Sequence, residues 1–238
     1  GLETIPQECF IGCRKLESVN IPDSVTTIGN MAFTGCALKE INISKNLTEI
    51  SIPGYTFSGC PAAITVDAAN PNYSADERGV LYNKDKSLLL HCPNFEKAFT
   101  FDINCNIDQY AFYNCANLTD VTFSYAIKKI PYAAFRNCGS LKITTVPDTV
   151  RMIDQVAFDG CGMTEFYLPD SVEYVGTQAF SSTPLTHFEF NDKVDTFKNI
   201  FSICPKLRTV VVGKGIKKIE IGALGGTNRI DTIYYRGT

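Results

Sequence analysis

Residues 16–36 read LESVNIPDSVTTIGNMAFTGC, and the order of residue types in this stretch returns about every 23 residues along the 238-residue chain. The most regular position is a phenylalanine in an Ala-Phe-x-x-Cys motif or a close variant of it. The phenylalanine recurs as Phe10, Phe33, Phe57, Phe112, Phe135, Phe158, Phe180 and Phe201, and Leu224 takes the ninth place. Successive anchors are 21 to 24 residues apart, except that 55 residues separate the third from the fourth. A constant phase over this length indicates an array of structural repeats rather than two ordinary globular domains.

Within one repeat the residues predict a strand, a sharp turn and a buried anchor. Val19 and Ile21 alternate with polar residues, which is the period of a half-buried strand. Pro22 ends this strand because proline has no N–H group to donate to a sheet. Gly29 allows a turn before Phe33, which we expect to lie on a short helical or 3₁₀ turn and to fill the core.

A unit of this size cannot bury its own apolar face, so each repeat must stack on its neighbours. We therefore predict a mainly β, right-handed repeat solenoid with short strands and short helical turns. Residues 1–238 would form a single domain of about nine to ten units of 21–24 residues, with one elongated core.

The long interval contains additional residues, which we place at 67–93. Residues 80–82 (Val-Leu-Tyr) and 88–90 (Leu-Leu-Leu) flank the polar segment 83–87, a pattern typical of a β-hairpin. This β-hairpin insertion is either a recognition protrusion, since insertions in repeat proteins tend to map to one face, or a longer repeat without a ligand.

Seven of the ten cysteines share one repeat position, three residues after the anchor. They are Cys13, Cys36, Cys60, Cys115, Cys138, Cys161 and Cys204. Thr183 and Thr227 take the same place elsewhere, so the position suits a small, semi-polar side chain in a buried turn. Free cysteine behaves as a small hydrophobe, and we expect a reduced, structural ladder. No C-x-x-C pair occurs, and the sequence therefore predicts no metal site and no cofactor.

The two histidines, His91 and His187, offer little for catalysis. Nucleophilic catalysis needs a base beside the nucleophile, and neighbours on a strand such as His91 and Cys92 point in opposite directions. His187 and Glu189 would share the exposed face of a strand, with no Ser or Cys placed to complete a triad. We therefore predict that the protein is not an enzyme.

Charge and hydropathy exclude two further classes of protein. The 22 Lys and Arg residues against 25 Asp and Glu leave a net charge of −3, whereas a nucleic-acid-binding protein normally carries a basic stripe. No apolar run approaches the roughly 20 residues that a membrane span needs. We expect neither a nucleic-acid partner nor a membrane span in this segment.

The unit L-x-x-V-x-I-P-x-x-V-x-x-I-G-x-x-A-F-x-x-C, as in Leu16 to Cys36, resembles the BspA-like leucine-rich repeat. The resemblance covers essentially the whole chain. The unit departs from the ordinary leucine-rich repeat, in which an Asn or Cys ladder follows the strand. The resemblance implies a leucine-rich-repeat solenoid in a secreted or cell-surface bacterial protein, and hence an extracellular location. It also implies a non-catalytic, adhesion-type scaffold that binds another protein on a host or bacterial surface.

Two other functions stay open. A carbohydrate-binding or cell-wall-binding module is favoured by exposed aromatic residues such as Tyr167 and Tyr234, and a glycan would then be the partner. The second alternative is a structural spacer that holds another domain away from a cell.

Alternation along the strands predicts which side chains face outward. The C-terminal repeats place there the six residues of a candidate binding face, which are Glu165, Tyr167, His187, Glu189, Val211 and Tyr234. This mixture of aromatic, apolar and acidic residues is of the kind enriched at interfaces. The N-terminal repeats carry only small, polar or acidic residues there, such as Asn20 and Asn42. The alternative interpretation is that β-propensity alone supplies the tyrosines and the valine. The same alternation predicts that Ile143 points outward.

Overall fold

The computed structural model describes residues 1–94, 97–123 and 127–237. In these ranges the chain is a β-solenoid of about ten turns with one four-residue helix, α1 (Pro53–Thr56). The strands in chain order are β1 (Thr4–Ile5), β2 (Thr27–Ile28), β3 (Glu40–Ile43), β4 (Glu49–Ile50), β5 (Ala63–Val66), β6 (Tyr73–Ala75), β7 (Leu81–Asn83), β8 (Leu88–His91), β9 (Ala98–Thr100), β10 (Asn106–Ile107), β11 (Asp120–Thr122), β12 (Lys129–Ile130), β13 (Met152–Ile153), β14 (Glu165–Tyr167), β15 (Tyr174–Val175), β16 (His187–Glu189), β17 (Thr196–Phe197), β18 (Thr209–Val212), β19 (Lys218–Ile219) and β20 (Thr232–Tyr235). The predicted fold class, a mainly β repeat solenoid, is confirmed.

Two sets of parallel strands run along the solenoid, one from each strand segment of the repeat. The two-residue strands form the sheets β1–β2–β4, β12–β13–β15 and β17–β19. The longer strands form β3–β5, β9–β11 and the four-stranded sheet β14–β16–β18–β20. Pairing joins equivalent residues of adjacent repeats, as between Ile5 and Ile28. Each inward position of the repeat therefore becomes a column of buried side chains.

The anchor phenylalanines lie at the centre of the core. Those without exposed surface are Phe33, Phe57, Phe112, Phe135, Phe158, Phe180 and Phe201. The ring centroids of Phe112 and Phe135 are 4.8 Å apart, and those of Phe135 and Phe158 are 5.4 Å apart, with nearly parallel planes. Stacked pairs at such distances contribute about 0.5–1.5 kcal/mol beyond the burial of their area.

Around most anchors the chain reverses direction without forming a helix. The residues two before and two after the anchor have positive φ, as at Ala133 (52°) and Asn137 (62°) on either side of Phe135. A left-handed residue interrupts helical geometry, so the expected short helix forms only as α1 and the other repeats have successive turns. The position two residues after the anchor is Gly or Asn in most repeats because these residues tolerate positive φ.

Backbone hydrogen bonds join these turns from one repeat to the next. The N–H of Phe135 donates to the carbonyl of Ala157 at 2.9 Å, and that of Asn137 donates to Asp159 at 2.7 Å. Equivalent bonds run toward the following repeat from Phe10, Phe33, Phe112, Phe158 and Phe180, whereas Phe57 donates within α1 to Pro53. The turns are thus held together by a row of backbone hydrogen bonds that is separate from the hydrogen bonds of the sheets.

The position three residues after the anchor needs a small donor. The thiol of Cys161 donates to the carbonyl of Phe135, the preceding anchor, at 3.0 Å. None of the ten cysteines forms a disulfide. Burial raises the thiol pKa of five of them and so makes them poor nucleophiles, namely Cys36, Cys60, Cys105, Cys138 and Cys204. The expectation of a buried position is wrong for Cys13, which is exposed together with Cys9 because both lie in the first repeat.

The insertion forms an antiparallel ladder, β6–β7–β8. Within residues 67–93, strands β7 and β8 are adjacent and antiparallel. Strand β8 also pairs in parallel with β10, with Leu89 opposite Ile107. The second strand of the hairpin is therefore at the same time part of the solenoid.

An anchor position that the phenylalanine spacing conceals is occupied by Cys92. The Cys92 N–H donates to the carbonyl of Ala111 at 2.8 Å, and the Cys92 carbonyl accepts the thiol of Cys115 at 3.4 Å. Anchor phenylalanines make the same two bonds in other repeats. The long interval thus contains an additional coil in which a cysteine replaces the aromatic anchor.

The buried apolar residues form two clusters rather than the single elongated core that the sequence predicts. The clusters meet at β7 and β8. Leu81 and Leu90 belong to the N-terminal cluster, while Tyr82 and Leu89 belong to the C-terminal one. The division falls where the aromatic stack lacks a ring, at Cys92.

His91, beside this position, is buried without a polar partner. Its side chain is 2% exposed, its ring centroid lies 5.7 Å from that of Phe57, and neither ring nitrogen has a hydrogen-bond partner. Burial lowers the pKa of His91 to about 3. The imidazole is therefore neutral at pH 7, and its unpaired nitrogens cost roughly 1–3 kcal/mol of stability.

Replacing Ile203 by Gly should stabilise the fold by about 0.5–1 kcal/mol. Ile203 has φ 60° and is 65% exposed, so a β-branched side chain is strained there and loses little burial when removed. Urea denaturation measures the change. The control is Ile221→Gly, at a fully exposed position without positive φ, which should be neutral or destabilising. A lower midpoint for Ile203→Gly would contradict the strain argument.

Replacing His91 by Leu should reduce the sensitivity of the fold to acid. The folded-state pKa is depressed, so stability is lost as the pH falls from about 6.5, the unfolded value, toward about 3. At about pH 4.5 the unchanged chain should have lost about 2–3 kcal/mol relative to His91→Leu, at about 1.4 kcal/mol per pH unit. Urea denaturation of both chains from pH 7 downward measures this. Parallel pH profiles would show that His91 titrates normally.

Candidate functional site

The candidate binding face lies on the outward side of the sheet β14–β16–β18–β20. Cross-strand pairing places Glu165 opposite His187 in one column, and Tyr167 opposite Glu189 in the next. The second column continues through Val211 to Tyr234. The alternating burial of β14 and β16 keeps Phe166 and Phe188 inside. The sheet therefore brings the six predicted residues onto one surface.

Tyr167 is fixed by contacts on two sides. Its hydroxyl donates to Glu165 Oε2 at 3.1 Å, and this hydrogen bond raises the pKa of the Tyr167 phenol. Its ring centroid lies 5.4 Å from that of His187 on the neighbouring strand. The side chain is nevertheless 39% exposed, so one part of the ring stays open to a partner.

Glu189 connects the centre of the face to its C-terminal end. His187 Nε2 lies 3.7 Å from Glu189 Oε2, and the other carboxylate oxygen forms an ion pair with Arg236. Arg236 is a member of the site that our sequence reasoning missed. Arg236 is two residues after Tyr234, so extending the same alternation by one step would have placed it on the outward face.

Val211 and Tyr234 complete the face. Val211 is half-buried and Tyr234 is 59% exposed. Along the second column the order is Tyr167, Glu189, Val211 and Tyr234, so an ion-paired carboxylate and a valine separate the two accessible phenol rings. Aromatic and apolar area beside a carboxylate that already has a partner suits an interface, because binding need not leave that charge unpaired.

The described residues show no arrangement for metal chemistry or membrane spanning. Among residues 1–94, 97–123 and 127–237, no three His, Cys, Asp or Glu side chains stand close enough together to hold a metal ion. Within the same ranges, no helix has the length and apolar character required to cross a membrane.

The expectation that Ile143 faces outward is wrong. Its side chain is only 8% exposed, whereas Thr144 and Thr145 are both exposed in succession. The repeat position that holds Val19, fourteen residues before the anchor, is held here by Thr144. A polar residue at this inward position shifts the alternation by one. Residues 142–146 form no strand, and neither do residues 16–22, so the strand predicted at Val19 and Ile21 is absent from the structure.

Two adjoining surface hollows of about 400 and 420 Å³ lie beside these residues and share Phe123 and Pro147. A hollow of about 400 Å³ also lies at the corresponding positions of the N-terminal repeats, where Asn20 and Asn42 line it. Such hollows therefore belong to the regular repeat and are not a consequence of Thr144.

Comparison with solved structures gives the fold of bacterial leucine-rich repeat proteins. The pneumococcal vaccine antigen PcpA superposes with a TM-score of 0.79 at 17% identity, over 100% of this chain and 66% of that one. A leucine-rich repeat protein from Eubacterium ventriosum has a TM-score of 0.57 at 25% identity, over 91% and 54%. A leucine rich cell surface protein from Faecalibacterium prausnitzii has a TM-score of 0.58 at 24% identity, over 100% and 58%. The chain thus spans roughly half to two thirds of the length of these proteins.

Comparison at the level of sequence gives the family. A search of the curated proteins finds no match. The family model of the BspA type leucine rich repeat region matches in six copies, over residues 3–94 and 105–231. These ranges include nearly all of the repeats identified above, and the chain belongs to the BspA-type leucine-rich repeat family.

Proposed function

We propose that the chain is a non-catalytic, protein-binding module of a secreted or cell-surface bacterial protein, an adhesion-type scaffold. The observation that carries the proposal is the candidate binding face, an outward column of a parallel sheet with the exposed rings of Tyr167 and Tyr234 at its ends. Between them lie Glu189 and the half-buried Val211. Leucine-rich repeat proteins are generally scaffolds for protein interaction. The cell-surface relative from Faecalibacterium prausnitzii supports the extracellular location.

The contacts within the face favour recognition. Tyrosine has few rotatable bonds, and Tyr167 is further restrained by Glu165 and His187. A side chain that is already ordered loses less entropy on binding, so more of its contact energy remains as affinity. Tyr and Arg are also the residue types that carry much of the binding energy at protein interfaces, and both occur here, as Tyr167, Tyr234 and Arg236.

The same contacts argue against catalysis at this face. His187 contacts Tyr167 and Glu189, and no cysteine or serine belongs to the two outward columns of the sheet. Thr209 lies opposite His187, but no hydrogen bond joins its hydroxyl to the imidazole among the described residues. A general base needs the nucleophile within hydrogen-bond reach to start acyl transfer. A role in binding explains the arrangement without requiring an activated nucleophile.

Replacing Tyr167 and His187 together by Ala should weaken partner binding at least about tenfold, which corresponds to about 1.4 kcal/mol. The matched control is Asn20→Ala with Asn42→Ala, two outward polar residues of the N-terminal repeats, which should leave binding unchanged. The unchanged chain first selects binding peptides from a random-peptide phage library. The affinity of each chain for these peptides is then measured. Urea denaturation should show similar stability for all three chains, because the replaced side chains are not in the core.

A glycan array run in parallel separates the alternatives. Binding to glycans but not to polypeptides would replace the proposal by a carbohydrate-binding or cell-wall-binding module. Binding to neither would favour a structural spacer. If both double variants lose binding equally, or if neither loses binding, the interaction lies elsewhere on the solenoid.

A further inference from the structure

Glu165 is the acid of the candidate binding face whose charge is not compensated. It is exposed at the start of β14, and the Tyr167 hydroxyl donates to its Oε2 at 3.1 Å. A phenol is neutral, so this bond leaves the negative charge in place. Glu165 forms no ion pair within residues 1–94, 97–123 and 127–237, whereas Glu189 has Arg236 as its counter-ion. The face therefore carries an uncompensated negative charge at its N-terminal end.

The ring of Tyr167 lies beside this carboxylate and is accessible to a partner. On one side the ring adjoins His187, and the residue as a whole stays 39% exposed. On the other side the adjacent coil carries the short side chains of Thr144 and Thr145, whose carbonyl and hydroxyl bond to the Tyr167 backbone at 2.9 and 3.0 Å. Among the described residues, no Lys or Arg lies over the Tyr167 ring. The phenol is held in place without being covered.

Elsewhere in the chain a carboxylate–phenol pair of this kind is completed by a guanidinium. The Asp76 carboxylate accepts the Tyr82 hydroxyl at 3.2 Å. It also accepts two hydrogen bonds from Arg78, at 3.0 Å from Nε and at 2.8 Å from Nη2. The Cζ atom of the same arginine lies 4.6 Å from the ring centroid of Phe99. One arginine is thus held by a carboxylate and an aromatic ring at the same time.

On the candidate binding face the corresponding pair lacks its cation. Glu165 supplies the carboxylate, and Tyr167 supplies both the hydroxyl and the accessible ring. A guanidinium suits this pair better than an ammonium group because it is planar, donates two bonds in a fixed fork and stacks on aromatic rings. A neutral or acidic side chain at the same place would leave the Glu165 charge without a partner where water is excluded, which is costly.

We propose that the partner segment bound by the candidate binding face carries an arginine whose guanidinium pairs with Glu165 and stacks on Tyr167. The inference rests on the function proposed above and adds the chemistry by which the face selects its partner. The charge of Glu165 supplies the complementarity, and the restrained ring of Tyr167 fixes where the arginine lies.

The probes are the phage-selected peptides whose binding is weakened by the double replacement of Tyr167 and His187. We expect these peptides to contain arginine. Replacing that arginine by citrulline, which has nearly the same shape and no charge, should weaken binding to the unchanged chain about tenfold or more. With Glu165→Gln the arginine peptide should bind about as weakly, and citrulline should then have little further effect, because the two changes remove the same contact.

Glu40→Gln is the matched control. Glu40 holds the same outward repeat position in β3 and is exposed, but the residue two places later is Asn42 instead of a tyrosine. This variant loses the same charge as Glu165→Gln and should bind the arginine peptide as the unchanged chain does. The comparison separates a local pair at Glu165 from an effect of net charge.

Three results would overturn the inference while leaving the proposed function intact. The peptides that depend on the face contain no arginine, or citrulline weakens binding equally in the unchanged chain and in Glu165→Gln, or Glu165→Gln and Glu40→Gln have equal effects. If no selected peptide depends on Tyr167 and His187, the function proposed for the face fails, and this inference fails with it.

Discussion

The stacking of one aromatic anchor on the next is the interaction on which the rest of the structure depends. A coil of about 23 residues has no interior of its own, so its apolar side chains become buried only when another coil covers them. Phe135 illustrates the arrangement, with Phe112 and Phe158 on its two sides. The left-handed residues before and after most anchors turn the chain sharply enough to bring the anchor amide to the next coil.

This constraint also produces the candidate binding face. Because equivalent residues of successive coils are paired, any feature at one position of the repeat becomes a column along the solenoid. Inward columns must stay apolar, while outward columns are free to vary. The side chains at Tyr167 and Tyr234 can therefore vary without loss of the fold, because residues at other positions stabilise it. Repeat proteins in general combine one fold with different partners in this way.

The sequence was sufficient to predict the fold and the register of the C-terminal sheet, because both follow from the regular spacing of the nine anchor residues. Whether the six residues on that sheet bind a partner remains a prediction. Two of the failures, at Cys92 and Ile143, share one cause, since each is a departure from the repeat. Cys92 could not be recognised as an anchor because its role is visible only in its backbone bonds. Ile143 was assigned to the wrong side because one polar residue, Thr144, occupies an inward position and displaced the alternation.

The most direct test of the central claim is the free energy of unfolding of Phe135→Ala, measured by urea denaturation beside Phe135→Leu. If the anchor stack holds the coils together, the alanine variant should lose about 3–5 kcal/mol, the usual cost of emptying a buried aromatic site. The leucine variant should lose less, because most of the volume stays filled and only the ring contacts with Phe112 and Phe158 are removed. A loss near zero in the alanine variant would contradict the account, since the coils would then be held by the sheets and turns alone.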